Sequence, residues 1–380
     1  MITRRKFALA AVSPALSLKA QEPPPYQGSL AKFENQVDAQ EFDSLAWTRK
    51  RYEEMPRRLR FQAKDRKAAE AWQKKLRAKL TELMGGFPPR VSLNAKILET
   101  RDFPGYKRDT VIFESRPGLG VFGYLLIPKS KPGPHPIVVS VPGHGRGVDD
   151  IAGIDDKGRD RTEKVTYQYD YAIQLVEHGM ASLAIEPLGF GCRRDPESRK
   201  KGLSTSSCQP SAGAALLFGE TMIGWRVWDV MRALDYAATR RELDINRAGC
   251  MGISGGGMVT AFASALEPRI RAAFVSGYMN TFRDSILSLS HCIDNYIPGV
   301  LQWCEEPDVV GLIAPRPLWC ESGEKDPIFP LPAFEGSFAA VKHVYEVFGV
   351  PDLCGREIHS GPHVFSGKQG LPFLARHLNA

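Results

Sequence analysis

The sequence predicts an α/β fold, a mostly parallel sheet with helices on both faces. Three observations predict it. Pro136–Val141 is a short, continuous apolar run, as expected of a strand covered on both sides. From there onward, strand-like runs alternate with segments of helical period, the pattern of parallel strands joined by helical crossovers. The chain of 380 residues, 43% hydrophobic and 24% charged, is also long enough to bury such a sheet without a metal or disulfide staple.

In chain order, Gln21 to about Gln40 is rich in Pro and Gln and reads as a loose leader. Phe42–Leu83 reads as helical, with Trp72, Leu76, Leu80 and Leu83 on one stripe, and Met84-Gly85-Gly86-Phe87-Pro88-Pro89 stops it. Val91–Arg101, Lys107–Ser115 and Gly120–Ile127 are β-like runs separated by Pro and Gly, expected to be antiparallel strands leading into the sheet. The alternating part then reads strand Pro136–Val141, helix Tyr169–His178, strand Met180–Glu186 and a loop over Cys192–Ala214. Next come helix Glu220–Thr239, strand Ala248–Ile253, helix Gly255–Ala265 and strand Arg271–Ser276. After an irregular stretch follow strand Leu318–Ser322, helix Ala333–Phe348, strand Arg356–His359 and a closing helix Phe365–Leu378. The domains read as a signal over 1–20, a leader and helical extension over 21–90, and a catalytic domain over 91–380.

Four basic residues, Arg4, Arg5, Lys6 and Lys19, lie in the first twenty with no acid, and they supply four of the seven net positive charges. The basic balance is thus largely an address, and no nucleic-acid partner is expected. Thr3-Arg4-Arg5-Lys6-Phe7 followed by Ala8–Val12 and Pro14–Leu18 resembles a twin-arginine export signal, so a periplasmic or secreted protein is expected. No window reaches the roughly 18 apolar residues of a membrane span.

The seven cysteines are an odd and scattered set, and Cys292 and Cys304 flank a Pro-Gly turn, which leaves open whether they bond in an oxidising compartment. His359 and His363 have HxxxH spacing, but Ser360-Gly361-Pro362 between them forbids the helix that would align two ligands. No metal and no cofactor are expected.

The chemistry concentrates where strands end. Gly252-Ile253-Ser254-Gly255-Gly256 joins a strand to a helix, and a serine on so sharp a turn needs glycines on both sides. Such a turn presents the Ser254 hydroxyl at the carboxyl end of the sheet and aims the Gly255 N–H at an oxyanion. A base must take the hydroxyl proton and a third group must orient that base. His363, in the loop after the final strand, is favoured over His359 at the strand end. Asp326, in the turn after Leu318–Ser322, is favoured as the acid, with Glu321 and Glu324 as runners-up. The second oxyanion donor is expected from Val141-Pro142-Gly143-His144-Gly145-Arg146-Gly147, through the His144 N–H or alternatively that of Gly145. Asp294, Asn295 and Tyr296 are expected at the pocket rim; Tyr278 and Trp303 read as core packing, and Arg193 and Arg194 as a solvated loop.

With these residues in view, the sequence resembles the α/β-hydrolase superfamily, in its dienelactone-hydrolase and acetyl-xylan-esterase-like branch, from about Val121 to Leu378. The particular likenesses are Gly224–Arg232, Asp294–Gly299 and Leu312–Pro317, together with the chain order Ser254, Asp326, His363. The resemblance implies a Ser-Asp-His triad on those three residues. Two positions depart from it: dienelactone hydrolases use a cysteine nucleophile where this chain has Ser254, and the acetyl xylan esterase group carries a polar residue where this chain has Gly255. The expected activity is hydrolysis of short acyl esters of carbohydrates or small molecules. The alternatives are a prolyl-oligopeptidase-like peptidase, for which only about 100 residues precede the catalytic region, and a non-catalytic binding protein of this fold.

Overall fold

A computed structural model describes residues 28–38, 42–161 and 163–380. The proposed export signal lies outside the described residues. The chain forms two compact units, one running through Glu54 and the other Met55–Ala380. The first contains a short 3-10 turn, Ala31–Gln36, and helix α1, Ser44–Glu54. No helix among the described residues is long and apolar enough to cross a membrane.

The larger unit opens with α2, Arg66–Leu83, capped by the Asp65 carboxylate accepting from the Ala68 N–H at 2.8 Å. Trp72, Leu76 and Leu80 are buried as their spacing requires, each worth about 1.5–3 kcal/mol. The expected single helix from Phe42 to Leu83 is broken between Glu54 and Arg66. Pro56 explains the break: it lacks the N–H and forces the residue before it out of helical geometry.

Nine strands form one sheet: β1 Lys96–Asp102, β2 Tyr106–Arg116, β3 Leu119–Pro128, β4 His135–Val141, β5 Ala181–Ile185, β6 Leu243–Ile253, β7 Ile270–Ser276, β8 Leu318–Gly323 and β9 Cys354–His359. Their spatial order is β1-β2-β3-β5-β4-β6-β7-β8-β9. β1, β2 and β3 pair antiparallel and β3 runs antiparallel to β5, while the six strands from β5 to β9 are mutually parallel. The crossovers hold α3 Tyr171–Glu177, α4 Pro196–Lys200, α5 Cys208–Leu217, α6 Met222–Ala237, α7 Gly255–Leu266, α8 Glu306–Gly311 and α9 Leu331–Val347, and α10 Gly370–Leu378 follows the last strand.

Alternate strand residues face two separate apolar layers. Val139, Cys250, Val275 and Cys320 pack with residues of α2, α6, α7, α8 and α9, while Val138, Met251, Phe274 and Trp319 pack with α3 and α10. This is the α/β-hydrolase fold.

Three local expectations differ from the structure. Cys192–Ala214 is not all loop, since α4 and α5 lie in it or start in it. The last helix begins at Gly370 instead of Phe365, because buried carboxylates seize the preceding N–H groups: Glu321 accepts from Ser366 and Gly367, and Glu357 from Gln369. Arg193 is not solvated; it forms a buried ion pair with Asp229 at 2.6 Å.

Glu186, at the end of β5, supports the loop that follows β4 by accepting from the Val148 N–H at 3.0 Å. Complete burial, with Asp149 nearby, pushes its pKa from 4.5 up to about 8. The native chain therefore keeps a proton on Glu186 that the unfolded chain releases near 4.5. That contribution is fully present below pH 4.5 and is lost as pH rises towards about 8, with a slope of at most ~1.4 kcal/mol per pH unit. Calorimetric Tm values at pH 5.5 and 8.5 check this: the difference should shrink in Glu186→Gln, which keeps the acceptor but does not titrate.

Candidate active site

Ser254 sits at the tip of the β6–α7 turn with φ 58° and ψ −124°. A side chain with φ in this region stores roughly 1–3 kcal/mol of strain. The turn is held by the Ser254 N–H donating to Ser276 O at 3.0 Å and the Met258 N–H donating to Ser254 O at 2.9 Å. Glycine is required at its flanks: a Cβ on Gly252 would lie 2.4 Å from Val141 O, and one on Gly256 only 1.8 Å from the same oxygen. β4 and the start of α7 thus press together, which brings the loop after β4 beside the serine.

His363 and Asp326 meet. His363 Nδ1 lies 2.6 Å from Asp326 Oδ2, while Asp326 Oδ1 accepts from the N–H groups of Ile328 at 2.8 Å and Phe329 at 3.1 Å. With Nδ1 donating to the carboxylate, Nε2 is left as the basic nitrogen, buried and without a hydrogen-bond partner among the described residues. The imidazole stacks on Tyr167 and on Phe329, both at 5.6 Å. Tyr167 stands beside Ser254, since a Cβ on Gly143 would lie 2.1 Å from the Tyr167 hydroxyl and 3.0 Å from Ser254 Cβ, and that hydroxyl donates to His144 O at 2.9 Å. One tyrosine therefore neighbours the serine, stacks on the histidine and anchors the glycine-rich loop. Burial raises its own pKa and keeps the hydroxyl protonated.

The competing acid and base positions stand elsewhere. Glu321 is buried beneath the site, accepting from Ser276 Oγ at 2.7 Å and from the Ser366 and Gly367 N–H groups at 3.0 and 2.9 Å. Burial pushes its pKa up to about 7. It joins the strand behind the serine to the segment behind His363 and makes no contact with the imidazole. Glu324 is exposed, and His359 Nδ1 accepts from the Gly361 N–H at 3.2 Å.

Around the glycine-rich loop, the Gly143 N–H donates to Gln168 Oε1 at 2.8 Å and the Arg146 N–H to Asp150 Oδ2 at 2.9 Å. The N–H groups of His144 and Gly255 have no acceptor among the described residues. The His144 ring packs on Phe190 at 4.6 Å, with Nδ1 3.1 Å from the point where a Cβ on Gly255 would lie. Its pKa is raised: burial opposes the charge, but the Cys208 sulfur and the Asp294 carboxylate outweigh it. Gly145 adopts φ +158° against Asp150.

Asp294 and Asn295 are not rim residues. Both are buried, with Asp294 paired to the Arg226 guanidinium at 2.5 Å and Asn295 Nδ2 donating to Asp294 Oδ1 at 2.8 Å. Tyr296 is exposed, and its hydroxyl donates to Ile286 O at 3.3 Å. Tyr278 is core; Trp303 is half-buried beneath the cations of Lys79 and Arg58. All seven cysteines are free, Cys304 is completely buried, and the sulfur beside Cys292 is that of Cys208. Cys292 and Cys304 are thus not paired, and Cys292 instead stands beside Cys208.

A cavity of about 310 Å³ opens beside Arg146, Asp149, Glu186, Arg194 and Arg199, and it includes none of Ser254, Asp326 and His363. Tyr167, Gln168 and Arg226 were missed as site residues. The first two lie in a polar loop with no motif, and Arg226 reads as the polar side of an amphipathic helix.

Comparison with known proteins agrees with the fold. The chain is 26% identical over 292 residues to YtaP of Bacillus subtilis (strain 168), a protein named as a hydrolase, covering 75% of this chain and 91% of that one. A crystal structure from Bacteroides fragilis NCTC 9343, named as an acetyl xylan esterase, superposes with a TM-score of 0.76 at 20% identity over 91% of this chain and 97% of that chain. A glucuronoyl esterase from Solibacter usitatus superposes with a TM-score of 0.61 at 17% identity, over 86% and 99% of the two chains. The Abhydrolase_7 family model matches residues 50–362, and the chain belongs to this Abhydrolase family.

Proposed function

We propose that the protein is an exported serine ester hydrolase that acts through an acyl-enzyme on short acyl esters of carbohydrates or small molecules. The observation that carries this reading is the juxtaposition at Tyr167, which lies beside Ser254 while stacking on a histidine already oriented by Asp326. In the proposed cycle Ser254 Oγ attacks the ester carbonyl as His363 Nε2 accepts its proton. The Asp326 carboxylate stabilises the imidazolium, and the Gly255 and His144 N–H groups receive the oxyanion. The imidazolium then gives its proton to the departing alcohol, leaving an acyl-serine. Water, deprotonated by the same nitrogen, attacks that acyl group; collapse of the second tetrahedral intermediate releases the acid and restores Ser254.

The names of the acetyl xylan and glucuronoyl esterases among the structural neighbours support ester chemistry on carbohydrate. The N-terminal Arg4-Arg5 segment supports export. Hydrolysis of p-nitrophenyl acetate, butyrate and octanoate, followed by acetate release from acetylated xylan, tests the reading. Turnover is expected to fall with chain length and to drop by at least about 10³-fold in Ser254→Ala. Equal rates in the wild type and the variant would overturn it.

A further inference from the structure

Behind the glycine-rich loop lies a cluster that the ester chemistry does not use. His144 Nε2, the sulfurs of Cys208 and Cys292 and a carboxylate oxygen of Asp294 all lie within 4.8 Å of one another. Three edges of this group are short: 3.6 Å from His144 Nε2 to Cys208 Sγ, 3.5 Å from His144 Nε2 to Asp294 Oδ2, and 3.4 Å from Cys208 Sγ to Asp294 Oδ2. A tetrahedral ion with bonds of ~2.0–2.3 Å sets its ligands ~3.3–3.8 Å apart. We propose that His144, Cys208, Cys292 and Asp294 form a binding site for a divalent cation of the zinc class.

The donor set is one imidazole, two sulfurs and one carboxylate oxygen, which favours zinc over the oxygen-seeking magnesium or calcium. The surroundings match a loaded site in charge. Two thiolates and a carboxylate carry three negative charges, balanced by a divalent ion and the buried Arg226 guanidinium. Arg226 donates to Cys208 Sγ at 3.3 Å and to Asp294 Oδ2, and Asn295 donates to Asp294 Oδ1, so both ligands are oriented from outside. The sequence conceals the set, because Cys208 stands 64 residues from His144 and 86 from Asp294. This departs from the sequence expectation of no metal, which rested on the spacing of His359 and His363.

Such an ion would tie three distant segments together: the loop that carries the proposed oxyanion donor, the start of α5 and the turn at 292–294. The same two sulfurs have a competing fate. A small disulfide RSSR would oxidise them by exchange: one thiolate attacks a sulfur of RSSR, breaking its S–S bond and releasing one RSH, and the second thiolate attacks the mixed disulfide and releases the other RSH, so that the Cys208–Cys292 bond forms, RSSR is reduced to two thiols and both sulfur ligands are lost.

The test uses the full chain purified without chelator. Elemental analysis should find one zinc per chain, and replacing it with cobalt(II) should give the thiolate charge-transfer and visible bands of a tetrahedral site. Zinc should raise the Tm of the metal-stripped protein, and Cys292→Ser and Cys208→Ala should each weaken zinc binding more than tenfold. If Cys208→Ala fails to fold, the part-exposed Cys292 carries the test through its serine variant. A protein whose thiols stay free and bind no added zinc overturns the proposal. So does a metal-free protein whose mass is lower by two hydrogens, which assigns the pair to a disulfide. None of these readouts depends on the ester reading.

Discussion

Asp326→Asn is expected to lower kcat for ester hydrolysis by about 10⁴-fold while leaving the protein folded. The carboxylate has two distinct jobs. One oxygen takes the His363 Nδ1 proton at 2.6 Å; the other caps the turn through the Ile328 and Phe329 N–H groups. An asparagine can preserve the cap with its carbonyl oxygen, but its amide nitrogen then faces Nδ1 as a donor. The ring is driven to the tautomer with its proton on Nε2, and the base facing the serine is lost. Steady-state kinetics on p-nitrophenyl acetate beside circular dichroism melting separates the two jobs. A loss of less than tenfold would remove Asp326 from the proposed triad.

Gly256→Ala is expected to cost more stability than any surface change, above about 4 kcal/mol, or to prevent soluble expression altogether. Its Cβ would fall 1.8 Å from Val141 O and 2.7 Å from Val141 C, and both are backbone atoms of a central strand. Relief requires β4 and α7 to separate, which would also displace the loop bearing His144. Gly86→Ala is the comparison: its Cβ meets nothing within 4 Å, although φ +77° carries its own strain. Urea unfolding of the two variants should show a much larger loss at Gly256. Comparable losses would mean that the close approach at Gly256, whose φ is not positive, is relieved without separating β4 from α7.

The central strands were legible at their carboxyl ends because a strand buried on both faces, as β4 is, has to be largely apolar, whereas β6 begins at Leu243, five residues before the expected Ala248, in a polar stretch that carries no such signal. The proposed triad was legible for a related reason: each member hangs from a strand end, so sequence position fixes spatial position. α5 was missed because Cys208–Leu217 offers small residues without an amphipathic period. α6 was found, but the helical spacing said nothing of where its interleaved Arg226, Asp229 and Arg232 go, and all three are buried. Period alone cannot tell a charge facing water from one facing a partner far along the chain. Asp294, which neutralises Arg226 across a separation of 68 residues, was displaced to the pocket rim for the same reason.

The stacking of His363 on Tyr167 and on Phe329 bears on how the proposed base works over a full cycle. A free imidazole must give up rotational entropy each time it aligns for proton transfer. Here two aromatic planes, at 27° and 25° to the ring, have already taken that freedom away. Turning the ring away from Ser254 would have to displace a tyrosine whose hydroxyl also holds the glycine-rich loop through His144 O, so the aim of the proposed base and the placement of that loop are maintained together.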